Sequence, residues 1–133
     1  MATYIHPLIN LFAHDVEGVA RFYREHLGFV ETFRTPVNGV PLHIAVRKDG
    51  LLLGFSDIPT AERLYGVTVG GGSPRMEIAV WTADVDAAWA ELMASGCDAV
   101  TPPHEHSPGR LRAALLADPA GNYVKIIQDI SGT

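Results

Sequence analysis

The residues with which this chain could do chemistry are six histidines, one cysteine and a few arginines. A metal site needs converging ligands, usually three or four, whereas His6, His14, His26, His43, His104 and His106 are scattered along the chain. His104-Glu105-His106 is the tightest group, but Pro102-Pro103 opens and Pro108-Gly109 closes the segment that holds it. A surface loop is therefore expected there; in a functional reading it folds over a cleft and one imidazole donates to a ligand. His14 and His26 flank the first expected helix and read as solvated, and His6 precedes Pro7 near the chain start. His43 alternates with Ala45 and Arg47, which leaves a cavity position and a surface position equally open. Cys97 sits beside Asp98, whose charge raises a thiol pKa, so a thiol nucleophile is not expected. Arg75, Arg110 and Arg112 read either as a cationic rim or as solvated side chains. The sequence has no Gly-x-Ser-x-Gly elbow, no phosphate-cradling Gly-x-x-x-x-Gly-Lys-Ser/Thr loop and no Gly-x-Gly-x-x-Gly opening a helix.

Composition narrows the classes further. A chain of 133 residues, 47% apolar and 19% charged, has room and substance for one compact domain. The net charge of −5 argues against a nucleic-acid partner, which calls for a basic surface. A single cysteine makes no internal disulfide. Neither a secretory leader nor an apolar run long enough to span a bilayer is read, so no membrane association and a cytoplasmic location are expected.

The elements that would position these residues come in two copies. Asp15-Val16-Glu17 returns as Asp84-Val85-Asp86, an offset of 69 residues. Val16, Val19, Ala20, Tyr23 and Leu27 in one copy, and Val85, Ala88, Trp89 and Leu92 in the other, keep helical spacing. Trp89 thus reads as core. Asp15 and Asp84 are placed to cap free N–H groups, and Gly28 and Gly96 to end the helices. Strands are expected before each helix, at 8–12 and 77–81. Ile9, Leu11, Ile78 and Val80 would pack on the helices, while Leu8, Asn10, Phe12 and Glu77, Ala79, Trp81 turn to the other face. A mixed face bearing a Glu and a Trp suits a pocket lining, although Phe12 and Trp81 read equally well as packing between modules or across a dimer. Further strands are expected at 29–34, 42–47 and 51–55, then at 99–101, 111–117 and 122–128. The chain is thus one domain of two β-α-β-β-β modules, 4–58 and 74–130, with 59–73 as the link, where Tyr65 could cover a pocket mouth.

Those tandem modules, the phrase Arg21-Phe22-Tyr23-Arg24-Glu25-His26-Leu27-Gly28-Phe29 and the turn Ala117-Asp118-Pro119-Ala120-Gly121-Asn122 resemble the vicinal oxygen chelate superfamily. That group includes glyoxalase I, extradiol dioxygenases, fosfomycin-resistance transferases and bleomycin-resistance proteins. The resemblance implies an α+β fold whose two modules form a concave sheet cleft, and a homodimer. In metal-dependent members four strand positions supply His or Glu ligands. Carried over by motif, they are Leu8, Leu53, Glu77 and Lys125, of which only Glu77 could ligate. Glu77 and Lys125 are expected on neighbouring strands with their side chains on one face, paired as ions where a metal would otherwise sit.

The resemblance therefore implies a metal-free protein, without a cofactor, that holds a small organic molecule or natural product in the cleft and breaks no bond. Leu8, Phe12, Leu53 and Trp81 would bury the ligand, and Glu77, Lys125 and His43 would orient it. One alternative is a metal-dependent lyase or dioxygenase in which His43 or His104 joins Glu77. Another is metal-free acid–base catalysis by Glu77, with Lys125 tuning its pKa.

Overall fold

A computed structural model describes residues 3, 5–70, 72 and 74–132. The chain divides into two compact units, Met1–Gly71 and Gly72–Thr133. The described residues form two four-stranded mixed sheets and three helices, an α+β fold of two tandem modules. None of those helices is long and apolar enough to cross a membrane.

The first unit runs β1 (Ile9–Ala13), α1 (Val16–Leu27), β2 (Val30–Thr35), β3 (His43–Lys48), β4 (Leu51–Asp57) and α2 (Ile58–Tyr65). Its sheet has the order β1-β4-β3-β2, with β1 parallel to β4 and the other pairs antiparallel. Asp15 caps α1 by accepting from Gly18 N–H, and Gly28 ends it in the left-handed region, where glycine has no Cβ to clash. Val16, Val19, Ala20, Phe22 and Tyr23 are buried. The Tyr23 ring stacks on Phe55 of β4, with centroids 5.3 Å apart, so Phe55 and its alternates face α1. Ile9 departs from expectation: it is exposed, because it begins an edge strand with neighbours on one flank only. The stretch expected to be only a link carries helix α2. Asp57 caps it through Thr60 N–H and Oγ1, yet only Ala61 is buried, so it shows little apolar stripe to read.

A register break between Glu31 and Phe33 turns Glu31 and Arg34 to the same side of β2. Glu31 there accepts from Arg34 at 2.9 and 3.0 Å and from Arg24 of α1 at 2.9 Å, while Arg34 also donates to Glu17 at 2.8 Å. Hydrogen bonding to Arg34 above all holds the Glu31 carboxyl below its ordinary value of 4.5. A carboxyl with a depressed folded-state pKa stabilises the fold above its unfolded pKa, and that contribution fades as pH falls toward the folded value. Melting temperature should therefore decline below about pH 4.5, and more gently in Glu31→Gln. Identical acid limbs for the two proteins would remove Glu31 from the account.

The second unit runs β5 (Glu77–Trp81), α3 (Val85–Ala94), β6 (Asp98–Ser107), β7 (Leu111–Ala117) and β8 (Tyr123–Asp129), in sheet order β5-β8-β7-β6. Helix α3 ends as Gly96 N–H and Cys97 N–H reach back to Met93 and Leu92 carbonyls, with Gly96 at φ +84°. Trp89 is half-buried rather than core; Val85 and Leu92 carry the buried stripe. Strand β6 corrects a second expectation. Its ten residues run through Pro102-Pro103 and the His104-Glu105-His106 group, where the prolines predict a loop. An edge strand tolerates proline, whose missing N–H can face away from the partner strand.

Candidate functional site

In the second unit the site is built on β5 and β8, which are parallel neighbours with Glu77 opposite Tyr123 and Ala79 opposite Lys125. Glu77 and Lys125 are therefore diagonal partners on one face, and Val124 and Ile126 are buried on the other. Lys125 Nζ lies 3.0 Å from Glu77 Oε1, with the lysine side chain 25% and the glutamate side chain 41% exposed. A pair this solvated contributes at most about 1 kcal/mol. Its importance is positional, since each charge fixes where the other points. Trp81 shares the face of Glu77 four residues on and is 65% exposed.

In the first unit the equivalent face is the one turned from α1. Leu8 directly precedes β1 and is exposed, and Phe12 is exposed on the strand. Leu53 does not join them. It is 1% exposed, lies opposite Ile9 in the register and alternates with Phe55 toward α1, so it belongs to the core. Gly54 is the structural counterpart of Lys125, because Asn10 opposite Gly54 repeats Ala79 opposite Lys125. The error is one residue, and one residue turns a strand side chain to the opposite face.

Gly54 leaves room for a polar pair that was not expected. His43 Nε2 lies 2.9 Å from Asn10 Oδ1, across the backbone of β4. An amide oxygen only accepts, so the Nε2 proton is donated and Nδ1 keeps its lone pair. Burial of the half-buried ring pushes its pKa down, which favours neutral imidazole. Phe33, on the same face, approaches the His43 ring to 5.9 Å between centroids. The signal for Asn10 was present in its place on the alternating face of β1; the signal for Gly54 depends on hairpin length.

His14 and His6 are exposed, and His26 is half-buried against the Phe22 ring. Arg112 is held by Asp86 of α3 through two 2.8 Å hydrogen bonds, which ties it to the helix side of its sheet. Arg75 donates through its backbone to Asn122 Oδ1 and through Nε to the Gly72 carbonyl. The Cys97 thiol pKa is pushed up, by burial first and by Asp98 second. Tyr65 is exposed at the end of α2.

The family described as Glyoxalase/Bleomycin resistance protein/Dioxygenase superfamily matches residues 5–126. Among solved structures, TioX from Micromonospora sp. ML1 is 25% identical at a TM-score of 0.72, covering 95% of this chain and 99% of that one. A glyoxalase-related enzyme from Fulvimarina pelagi is 25% identical at 0.75, with coverages of 96% and 89%. A glyoxalase/bleomycin resistance protein/dioxygenase from Nocardioides is 23% identical at 0.75, with coverages of 98% and 89%. No curated protein matches significantly.

Proposed function

The chain belongs to the Glyoxalase/Bleomycin resistance protein/Dioxygenase superfamily, and on that premise we propose that it binds a small organic molecule without a metal. The observation that carries this reading is the 3.0 Å pairing of Lys125 with Glu77. With Gly54 in place of Leu53, the four ligand-type positions hold Leu8, Gly54, Glu77 and Lys125. These residues do not fit a divalent metal: one offers a carboxylate, two offer no donor, and the fourth brings a cation. The Lys125 ammonium, 3.0 Å from the one carboxylate, repels a dication placed there and already occupies the charge it would bind.

In this reading each unit offers ligand-contact surface of its own, Phe12 and Leu8 on the first and Trp81 on the second. Glu77 and Lys125 present an acceptor and a donor, and neutral His43 presents Nδ1 as an acceptor held in place by Asn10. Binding alone is the activity, and no bond is broken. The same reading takes the protein to be a cytoplasmic homodimer, in keeping with its resemblance and its one free cysteine.

The test combines metal analysis with a thermal-shift screen of planar natural products. Any Ni, Zn, Fe or Mn that protein purified without chelator retains after dialysis should be undiminished in Glu77→Gln. A compound at about a hundred times its dissociation constant should stabilise the fold by about 2.7 kcal/mol, and Trp81→Ala should remove most of that gain. One equivalent of metal that survives dialysis in the native protein and is lost in Glu77→Gln would overturn the proposal.

A further inference from the structure

Strand β6 carries His104 and His106 two residues apart. Both are exposed, and their ring centroids lie 6.4 Å apart at an interplanar angle of 41°. We propose that this pair is a binding site for a borderline transition-metal dication such as Zn²⁺, Ni²⁺ or Cu²⁺, separate from the Glu77–Lys125 site and independent of the function proposed above.

Three observations converge on it. His104 Nδ1 lies 3.1 Å from the Pro102 carbonyl oxygen. A carbonyl only accepts, so Nδ1 carries the proton and Nε2 keeps the lone pair that ligates. Metal-binding histidines are oriented by this kind of hydrogen bond from the other ring nitrogen. Next, one register break lies just before the pair, between Thr101 and His104, and another falls at His106, between Glu105 and Ser107, and such breaks re-aim side chains. Finally, the spacing is close to what chelation needs. An Nε2–metal bond of about 2.0–2.1 Å puts the metal about 3.2 Å from a ring centroid, so two imidazoles at the tetrahedral angle sit about 5.2 Å apart. The rings have to close by about 1 Å, a small side-chain rotation for exposed residues.

Among the described residues no third His, Cys, Asp or Glu joins the pair in a group that could hold a metal, so the rest of the coordination shell falls to water. Two imidazoles and water suit Zn²⁺, Ni²⁺ and Cu²⁺, with Cu²⁺ tightest, and not Mg²⁺ or Ca²⁺.

Calorimetric titration of the full chain, stripped with chelator, with ZnCl₂, CuCl₂ and MgCl₂ tests this. One equivalent of Zn²⁺ should bind, with Cu²⁺ tighter and Mg²⁺ silent. His104→Gln and His106→Gln should each weaken Zn²⁺ by about tenfold or more, and Glu77→Gln should leave it unchanged. Cu²⁺ broadening of amide resonances should centre on residues 102–112. Zn²⁺ affinity that survives the double His104→Gln/His106→Gln replacement, or broadening centred elsewhere, would overturn the site.

Discussion

Gly54→Ala should destabilise the protein by about 2 kcal/mol and separate Asn10 from His43. A Cβ at residue 54 collides with Asn10 Oδ1 and comes within 2.7 Å of His43 Nε2. The strand cannot step aside cheaply. β4 lies between β1 and β3, with Asn10 opposite Gly54 on one side and Ala45 on the other, so any backbone shift disturbs two ladders. The side chains must move instead, and the 2.9 Å hydrogen bond is what they lose. At roughly 4 °C per kcal/mol for a chain of this size, the melting temperature should fall by about 8 °C. The His43 ring nitrogens, followed by ¹⁵N NMR, should leave the single tautomer that donation from Nε2 imposes. In an Asn10→Ala background the same glycine substitution should have less than half its effect, because the main obstacle is gone. Full destabilisation in both backgrounds would trace it to the strand and not to the polar pair.

That glycine also marks how far the sequence could be read. The offset between Asp15 and Asp84 locates both helices, and the same offset matches Leu8 with Glu77 and Asn10 with Ala79. Counting forward from the caps works because the strand-to-helix step is the same in both units. Counting to the last strands does not, because the hairpins differ. β3 and β4 are joined by Asp49-Gly50, whereas five residues, from Asp118 to Asn122, separate β7 from β8. Matching the two last strands by motif therefore put Leu53 where Gly54 belongs, and with a period of two that error moves a core residue into the site. Lys125 escaped the error because its count starts from a turn inside its own hairpin.

The two missed elements have other causes. Pro102-Pro103 marks a break in most settings, and only the sheet order reveals an edge where proline is tolerated. Helix α2 has its cap, Asp57 with Thr60, but eight residues and one buried side chain leave almost no periodicity to detect. Neither signal is absent from the sequence. Each depends on a neighbour that only the folded chain supplies, and so does the Asn10–His43 pair, whose members lie 33 residues apart.

The hairpin that keeps Lys125 in register depends on one buried carboxyl, and Asp118→Ala should destabilise the protein by about 3 kcal/mol, roughly 12 °C in melting temperature. Asp118 is 2% exposed. Its Oδ1 accepts from Ala120 N–H at 2.8 Å and from Asn122 N–H at 2.9 Å. The backbone closes the same turn, with Asp118 N–H donating to the Asn122 carbonyl and Gly121 N–H to the Asp118 carbonyl. Asn122, also buried, accepts through Oδ1 from Arg75 N–H, which ties the turn to the chain leading into β5. Alanine leaves two amide donors without this acceptor in a site with little access to water, and a lost partner of that kind is more damaging than an average hydrogen bond. Asp118→Asn keeps an acceptor at Oδ1 and should lose only about 1 kcal/mol. Hydrogen exchange at the Ala120 and Asn122 amides should accelerate in the alanine variant and remain slow in the asparagine one. Loosening the turn also frees β8 to slip, and a slip of one residue would turn Lys125 away from Glu77. The alanine variant should accordingly lose ligand-induced stabilisation together with fold stability. A melting temperature within about 2 °C of the native protein would mean that the backbone bonds hold the turn without the carboxyl.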